Sequence, residues 1–141
     1  MTGRPTALVV AAALLCSPAA TAKDFGPGDL RVCDAKRCVP IVNRAALRAF
    51  SSFYYGDGRA TAVEKPRLGA PAFVIRFRDG FAVGLVGSAK LDRSLVYGLN
   101  CGRFRRGRWY RLPARAAREV RRLSAPLTPL RVTQRAPPRS C

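Results

Sequence analysis

Residues 72–87 read AFVIRFRDGFAVGLVG, two runs of alternating apolar residues on either side of Asp79 and Gly80. This alternation around a glycine-containing centre is typical of a β-hairpin. A two-residue turn would divide the six large apolar side chains between the two faces of the hairpin. A three-residue loop ending in a left-handed Gly80 would place all six on one face, and we therefore predict this loop. The six are Phe73, Ile75, Phe77, Phe81, Val83 and Leu85.

Residues 1–22 have the three parts of a secretory signal peptide. Arg4 is their only charged side chain, a run of about ten apolar residues follows, and small residues precede Ala22. This pattern predicts cleavage after Ala22 and a secreted, extracellular protein. The two alternatives are a membrane anchor and a lipid attached to Cys16. The apolar run is short for an anchor, and Leu15 before Cys16 does not fit the pattern for lipid attachment.

Removal of this segment leaves four cysteines in residues 23–141, namely Cys33, Cys38, Cys101 and Cys141. An even number in a small exported chain predicts two disulfides. Residues 34–37 read as a turn between two short strands, so Cys33 and Cys38 would lie opposite each other, and Cys101 would pair with Cys141. A four-thiolate zinc site is disfavoured because the spacing offers no C-x₂-C pair. We predict neither a metal nor a small-molecule cofactor.

The remaining patterns predict two short helices and several more strands. Asn43 is the expected N-cap of a helix over residues 44–55, and Pro113 opens a second helix over residues 114–123. Strands are expected over residues 94–101 and 108–112 and within 127–133, residues 56–71 form the longest loop, and residues 24–29 are expected to be mobile. The prediction is a small single α+β domain over residues 23–141, with an antiparallel sheet of hairpins, two short helices and two disulfides.

The chain has 26 Lys and Arg, 8 Asp and Glu, and no His, which gives a formal charge of +18. Without imidazole, every mechanism that uses His as a general base, proton shuttle or metal ligand is excluded. The sequence also lacks the serine-nucleophile and phosphate-loop motifs, and we therefore expect a protein that is not an enzyme. A carboxylate pair is the alternative route to catalysis, with Asp57 and Glu64 as the acids. Exposed loop acids beside arginines are their simpler interpretation.

Nine arginines and a single acid, Glu119, lie in residues 103–122, with Phe104, Trp109 and Tyr110 interleaved. Guanidinium groups bind phosphate and carboxylate groups, and flat rings can stack beside such ligands. This pattern predicts an anion-binding surface made of Arg103, Arg105, Arg106, Arg108, Trp109, Arg111, Arg115, Arg118 and Arg122. The alternative is an ordinary solvated basic face, in which the aromatic side chains belong to the core.

These patterns together predict an exported basic protein, not an enzyme, that associates electrostatically with an anionic polymer or the cell envelope. Its partner would be an anionic polymer, a phospholipid surface or nucleic acid. The alternative is a secreted protein-binding module, such as an enzyme inhibitor that presents residues 56–71. Polyanion binding weakens steeply with salt, whereas docking of a loop into an apolar cleft does not, so ionic strength separates the two.

Overall fold

A computed structural model describes residues 24–133, so the predicted signal peptide and Cys141 lie outside the described residues. The described chain is a small α+β domain with an antiparallel sheet and two helices. Its elements in chain order are β1 (Leu30–Cys33), β2 (Cys38–Pro40), α1 (Arg44–Tyr55), β3 (Ala62–Val63), β4 (Pro71–Phe77), β5 (Ala82–Gly87), β6 (Arg93–Val96), β7 (Trp109–Arg111), α2 (Ala114–Ser124) and β8 (Leu130–Arg131). The sheet order is β2-β1-β4-β5-β6-β7-β3, and β8 pairs with β4.

Helix α1 begins and ends as the sequence predicts. The side-chain oxygen of Asn43 accepts hydrogen bonds from the backbone N–H groups of Ala45 and Ala46, at 3.0 and 3.2 Å. These bonds satisfy two of the donors that a helix N-terminus leaves free. At the other end, the Gly56 N–H donates to the Ser52 carbonyl at 3.0 Å.

The two helices contact each other, and α2 also contacts β1. They cover one face of the sheet and form the main core with it. Aromatic side chains of α1 make up much of this core, because Phe50, Phe53 and Tyr54 are each no more than 3% exposed. These three rings therefore serve core packing.

The β4–β5 hairpin has the predicted loop but not the predicted distribution of side chains. Gly80 is left-handed, with φ of +91°, and its N–H donates to the Phe77 carbonyl at 2.9 Å. The register of the two strands then shifts at Val83, which is an extra residue in β5. Such a bulge changes the face on which the following residues lie. The prediction that six large side chains share one face is therefore wrong for Leu85, which packs on the opposite face.

That opposite face carries a smaller apolar cluster of its own. Ala72, Leu95, Trp109 and Val132 are buried there, and Leu85 and Leu130 pack against them. Strand β8 covers the start of β4 through the pairs Pro71↔Arg131 and Ala72↔Leu130. The edge strand predicted within residues 127–133 is thus confirmed, although it is only two residues long.

The disulfide between Cys33 and Cys38 is confirmed. These residues are paired directly in the β1–β2 ladder, with their Cα atoms 4.0 Å apart. It is the one disulfide formed between two of the described residues, and the predicted α+β class is confirmed. Cys141, the predicted partner of Cys101, lies outside them.

Residues 24–29 pack against the body, so the prediction that this stretch is mobile is wrong. The Phe25 N–H donates to Ser51 Oγ at 3.0 Å, and the Phe25 ring contacts Tyr54, Tyr55 and Phe77. Asp29 Oδ2 accepts from the Gly26 N–H at 2.7 Å. The one aromatic residue in this glycine-rich stretch therefore fixes the segment to α1 and β4.

Neither described helix has the length and apolarity needed to cross a membrane.

Candidate anion-binding pocket

The short strand β3 brings the loop after α1 beside the arginine-rich segment. Ala62 pairs with Tyr110 and Val63 with Trp109, and the Arg111 N–H donates to the Thr61 carbonyl at 2.9 Å. This pairing places residues 56–61 next to residues 102–108. The loop that carries Arg59 and the arginine-rich segment, which are far apart in sequence, therefore meet at one end of the sheet.

A cavity of about 240 Å³ lies between these two stretches, and we call it the loop pocket. Four arginines, one from the first stretch and three from the second, line it together with Tyr110, and none of the described lining residues is an acid. These arginines are Arg59, Arg103, Arg105 and Arg108. Four like charges around one cavity repel one another unless an anion or solvent lies between them, so the arrangement is electrostatically suited to a multiply charged anion.

Arg103 holds the pocket together. Its Nη1 donates to the carbonyl oxygens of Gly56 and Gly58, which tie the end of α1 and the following loop to the arginine-rich segment. Arg105 is fixed through its backbone, because its N–H donates to Tyr110 Oη at 2.6 Å. The guanidinium groups of Arg59, Arg105 and Arg108 belong to exposed residues and are available to a ligand.

The aromatic rings interleaved with the arginines do not form an exposed stacking surface. Phe104, Trp109 and Tyr110 are 2%, 4% and 4% exposed, respectively. Phe104 and Tyr110 pack edge to face in the main core, with ring centroids 5.0 Å apart, and Trp109 lies in the smaller cluster. These rings therefore support the strand and loop that carry the arginines.

A second cleft of about 300 Å³ lies between α2 and the start of α1. Arg115, Arg118 and Arg122 line it from one face of α2, and Asn43 lines it from the N-terminal end of α1. Glu119 also lines the cleft and forms a two-point ion pair with Arg122, at 2.7 and 3.0 Å. The buried Glu119 carboxylate balances the charge of one of the three arginines. The Asn43 side chain already accepts hydrogen bonds from backbone N–H groups at the start of α1. The loop pocket is therefore the stronger candidate for an anion site.

The remaining candidates lie outside both sites. Arg106 is exposed and lines neither cavity. Arg111 is exposed and lies opposite Arg93 in the β6–β7 ladder. Asp57 and Glu64, the acids considered for catalysis, are both exposed. Residues 24–133 contain no group of three or more His, Cys, Asp or Glu side chains that could hold a metal ion.

Arg59 is the one pocket arginine that sequence reasoning missed. It lies more than forty residues before the arginine-rich segment, in a stretch without periodicity. Its place depends on the two-residue strand β3, which is too short to produce an alternating pattern. The available signal was its position just after the end of α1, where the chain must turn back towards the sheet.

No family model matches the chain, and no curated protein and no solved structure matches it either.

Proposed function

We propose that this protein is an exported, non-enzymatic basic protein that binds an anionic, phosphate-bearing polymer of the cell envelope through the loop pocket. The observation that carries the proposal is the set of four arginines around one cavity whose described lining contains no acid. Planar guanidinium groups form paired hydrogen bonds with phosphate oxygens, and several in one cavity can bind successive charges of a polymer.

The burial of the aromatic rings favours such a polymer over single-stranded nucleic acid. Proteins that bind single strands stack bases on exposed aromatic side chains. Here Phe104, Trp109 and Tyr110 are all buried, so none of these rings is exposed for a base to stack on. A ligand at the loop pocket would therefore interact mainly with the charged guanidinium groups. Nucleic acid and phospholipid become comparison ligands in the test.

The test measures retention on immobilised long-chain polyphosphate over a range of salt concentrations. Replacing Arg59, Arg105 and Arg108 together by Gln should weaken binding and reduce the slope of log K against log salt by about one unit per lost phosphate contact. Arg103 is kept because it ties Gly56 and Gly58 to the segment. Single-stranded DNA and phosphatidylglycerol vesicles are run in parallel, and we expect weaker retention on both.

The matched control replaces Arg48, Arg67 and Arg121 by Gln, which removes the same charge from exposed positions outside the loop pocket. A finer comparison sets Arg105→Gln against Arg106→Gln, because these neighbours differ in whether they line the pocket. Equal losses in both comparisons would mean that net charge alone controls binding, and the pocket would be rejected.

Export and the second disulfide are part of the same proposal. We propose cleavage after Ala22, a mature chain that begins at Lys23, and a bridge from Cys101 to Cys141. N-terminal sequencing and non-reducing peptide mapping of exported material test these points directly. An intact or acylated N-terminus, or a bridge from Cys33 to Cys101, would refute them.

The exposed loop residue Leu68 favours protein binding as a second candidate function. Leu68 is 58% exposed, and the chain on either side of it is held to the body. Arg93 Nη1 donates to the Glu64 carbonyl at 2.8 Å, and the Gly69 N–H donates to the Val132 carbonyl at 3.1 Å. A loop fixed in advance loses little entropy on docking, as an inhibitor requires. Binding of an extracellular enzyme that is abolished by Leu68→Asp and insensitive to salt would support this candidate.

A further inference from the structure

A cavity of about 530 Å³ lies at the other end of α1 from Asn43, between residues 24–29, the end of the helix and the β4–β5 loop. Its volume is within the range of small-molecule sites in proteins, about 300–1,000 Å³. Its lining is made of three aromatic residues, three aspartates and one arginine, namely Phe25, Tyr55, Phe77, Asp24, Asp29, Asp79 and Arg78. We call it the aromatic cavity.

The three rings come from three different segments and are held against one another. The Phe25 ring centroid lies 5.5 Å from that of Tyr55 and 5.9 Å from that of Phe77, with the ring planes tilted by 44° and 52°. All three rings are partly buried against the main core, and they line the cavity. The apolar part of the cavity is thus preformed by packing that also anchors the N-terminal segment.

The charge around this cavity is opposite to that of the protein as a whole. Three of the eight acids of a chain with net charge +18 line it, against one arginine. That arginine is already paired, because Arg78 Nη2 lies 2.9 Å from Asp29 Oδ1. The charges of Asp24 and Asp79 are therefore not balanced by any cation in the described lining. The described lining therefore has two more negative than positive charges, beside three aromatic side chains.

This combination selects one class of ligand. Aromatic faces attract cations. In water this attraction favours alkylated ammonium groups, because such cations are poorly hydrated and lose little when they leave water. Nearby carboxylates add to the attraction. Within the described chain, the three aspartates do not form a group that could hold a metal ion. We propose that the aromatic cavity binds a small organic cation with an alkylated ammonium group. This site is independent of the loop pocket and prefers the opposite charge.

The test is a titration with choline at low ionic strength, followed by the backbone amide NMR signals of the protein. The signals of Phe25, Tyr55 and Phe77 should shift together. The uncharged analogue 3,3-dimethylbutan-1-ol has the same shape and should bind at least about fivefold more weakly. Tyr55→Leu should weaken choline binding about fivefold, and Asp24→Asn should weaken it more modestly and in a salt-dependent way.

Matched controls use the same changes outside the cavity. Phe81→Leu alters a ring that is 42% exposed and does not line the cavity, and Asp57→Asn alters an exposed loop acid. Both should keep the affinity of the unaltered protein for choline. The proposal is overturned if choline causes no shifts at the cavity, if the alcohol binds as tightly, or if Phe81→Leu weakens binding as much as Tyr55→Leu.

A variant of the loop pocket separates this inference from the proposed function. Arg105→Gln should leave choline binding unchanged, and polyphosphate should not compete with choline. Either site can therefore fail without the other.

Discussion

Gly84 lies in β5 where the sheet faces a buried hydroxyl group. A Cβ atom there would be 3.0 Å from Tyr54 Oη and 3.1 Å from the Leu95 carbonyl oxygen. Tyr54 is fully buried, and this burial raises the pKa of its hydroxyl above the usual range, so the group stays neutral. Gly84→Ala should therefore force packed atoms apart and lower the free energy of unfolding by about 1–3 kcal/mol, as measured by urea denaturation.

Gly58→Ala is the control for this change, because a Cβ atom at Gly58 would meet nothing within 4 Å. Gly58→Ala should change the free energy of unfolding by no more than about 0.5 kcal/mol. If the two variants unfold at the same urea concentration, the contact at Gly84 does not restrict residue size.

Asp34 gives the fold a dependence on acid. Its side chain is 4% exposed and accepts backbone hydrogen bonds from Thr128, Lys36 and Arg37. These bonds, led by that from Thr128, hold the pKa of the Asp34 carboxyl below its usual value of 3.8. The stabilisation is therefore complete above about pH 4 and is lost as the pH falls through the lowered pKa. Urea midpoints measured between about pH 5 and pH 2 should show this loss.

Asp34→Asn should be less stable at neutral pH, because its amide cannot accept from both the turn and Thr128. It should also lose less stability on acidification than the unaltered protein. Asp57→Asn, at an exposed position, should follow the unaltered protein. Parallel curves for Asp34→Asn and the unaltered protein would contradict the assignment.

At the scale of elements, the β1–β2 hairpin depends on its bridge because β2 is only three residues long. Cys33 and Cys38 close a ring across five sequence positions. The chain-entropy estimate for so small a ring is roughly 2 kcal/mol. Replacing both cysteines by Ala should therefore lower the free energy of unfolding by about this amount, measured by denaturation under non-reducing conditions. Unchanged stability would show that the hairpin does not need the disulfide and that the pairing of β1 with β4 holds it in place.

The hairpins also show how far sequence patterns predict elements. The cap at Asn43 and the loop ending at Gly80 depend on local chemistry, and both were predicted. The bulge at Val83 has no local signal, because it depends on which of two faces each strand must bury. The predicted hairpin had one buried face, whereas Trp109 and Leu95 create a second. Leu85 was misplaced for this reason.

At the scale of the whole molecule, the net charge of +18 opposes compaction through self-repulsion. Raising sodium chloride from about 10 to about 100 mM shortens the screening length from about 30 to about 10 Å. The melting temperature should therefore rise with salt, whereas retention on polyphosphate should fall. Calorimetry in the absence of polyanion measures the first effect. A melting temperature that is flat or falls with salt would mean that local ion pairs outweigh the repulsion.

The composition and the mixture of helical and hairpin patterns were sufficient to predict the α+β class. The arginine-rich segment was also visible, but its division between two cavities was not. That division depends on where α2 and β7 lie in the tertiary structure. Arg108 precedes β7 and faces Arg59, whereas Arg115 lies on α2 and faces Asn43.

The outermost strands of the sheet, β2 and β3, are three and two residues long, and β2 ends in Pro40. A long, flat outer strand would offer unpaired backbone groups to another molecule and could seed fibrils. Here the longest strands, β4 and β5, are central in the ladder and paired on both sides. The polymer binding proposed above would gather copies of the protein at high local concentration. In that setting the short outer strands would leave few unpaired backbone groups for edge-to-edge pairing, which opposes amyloid-like assembly.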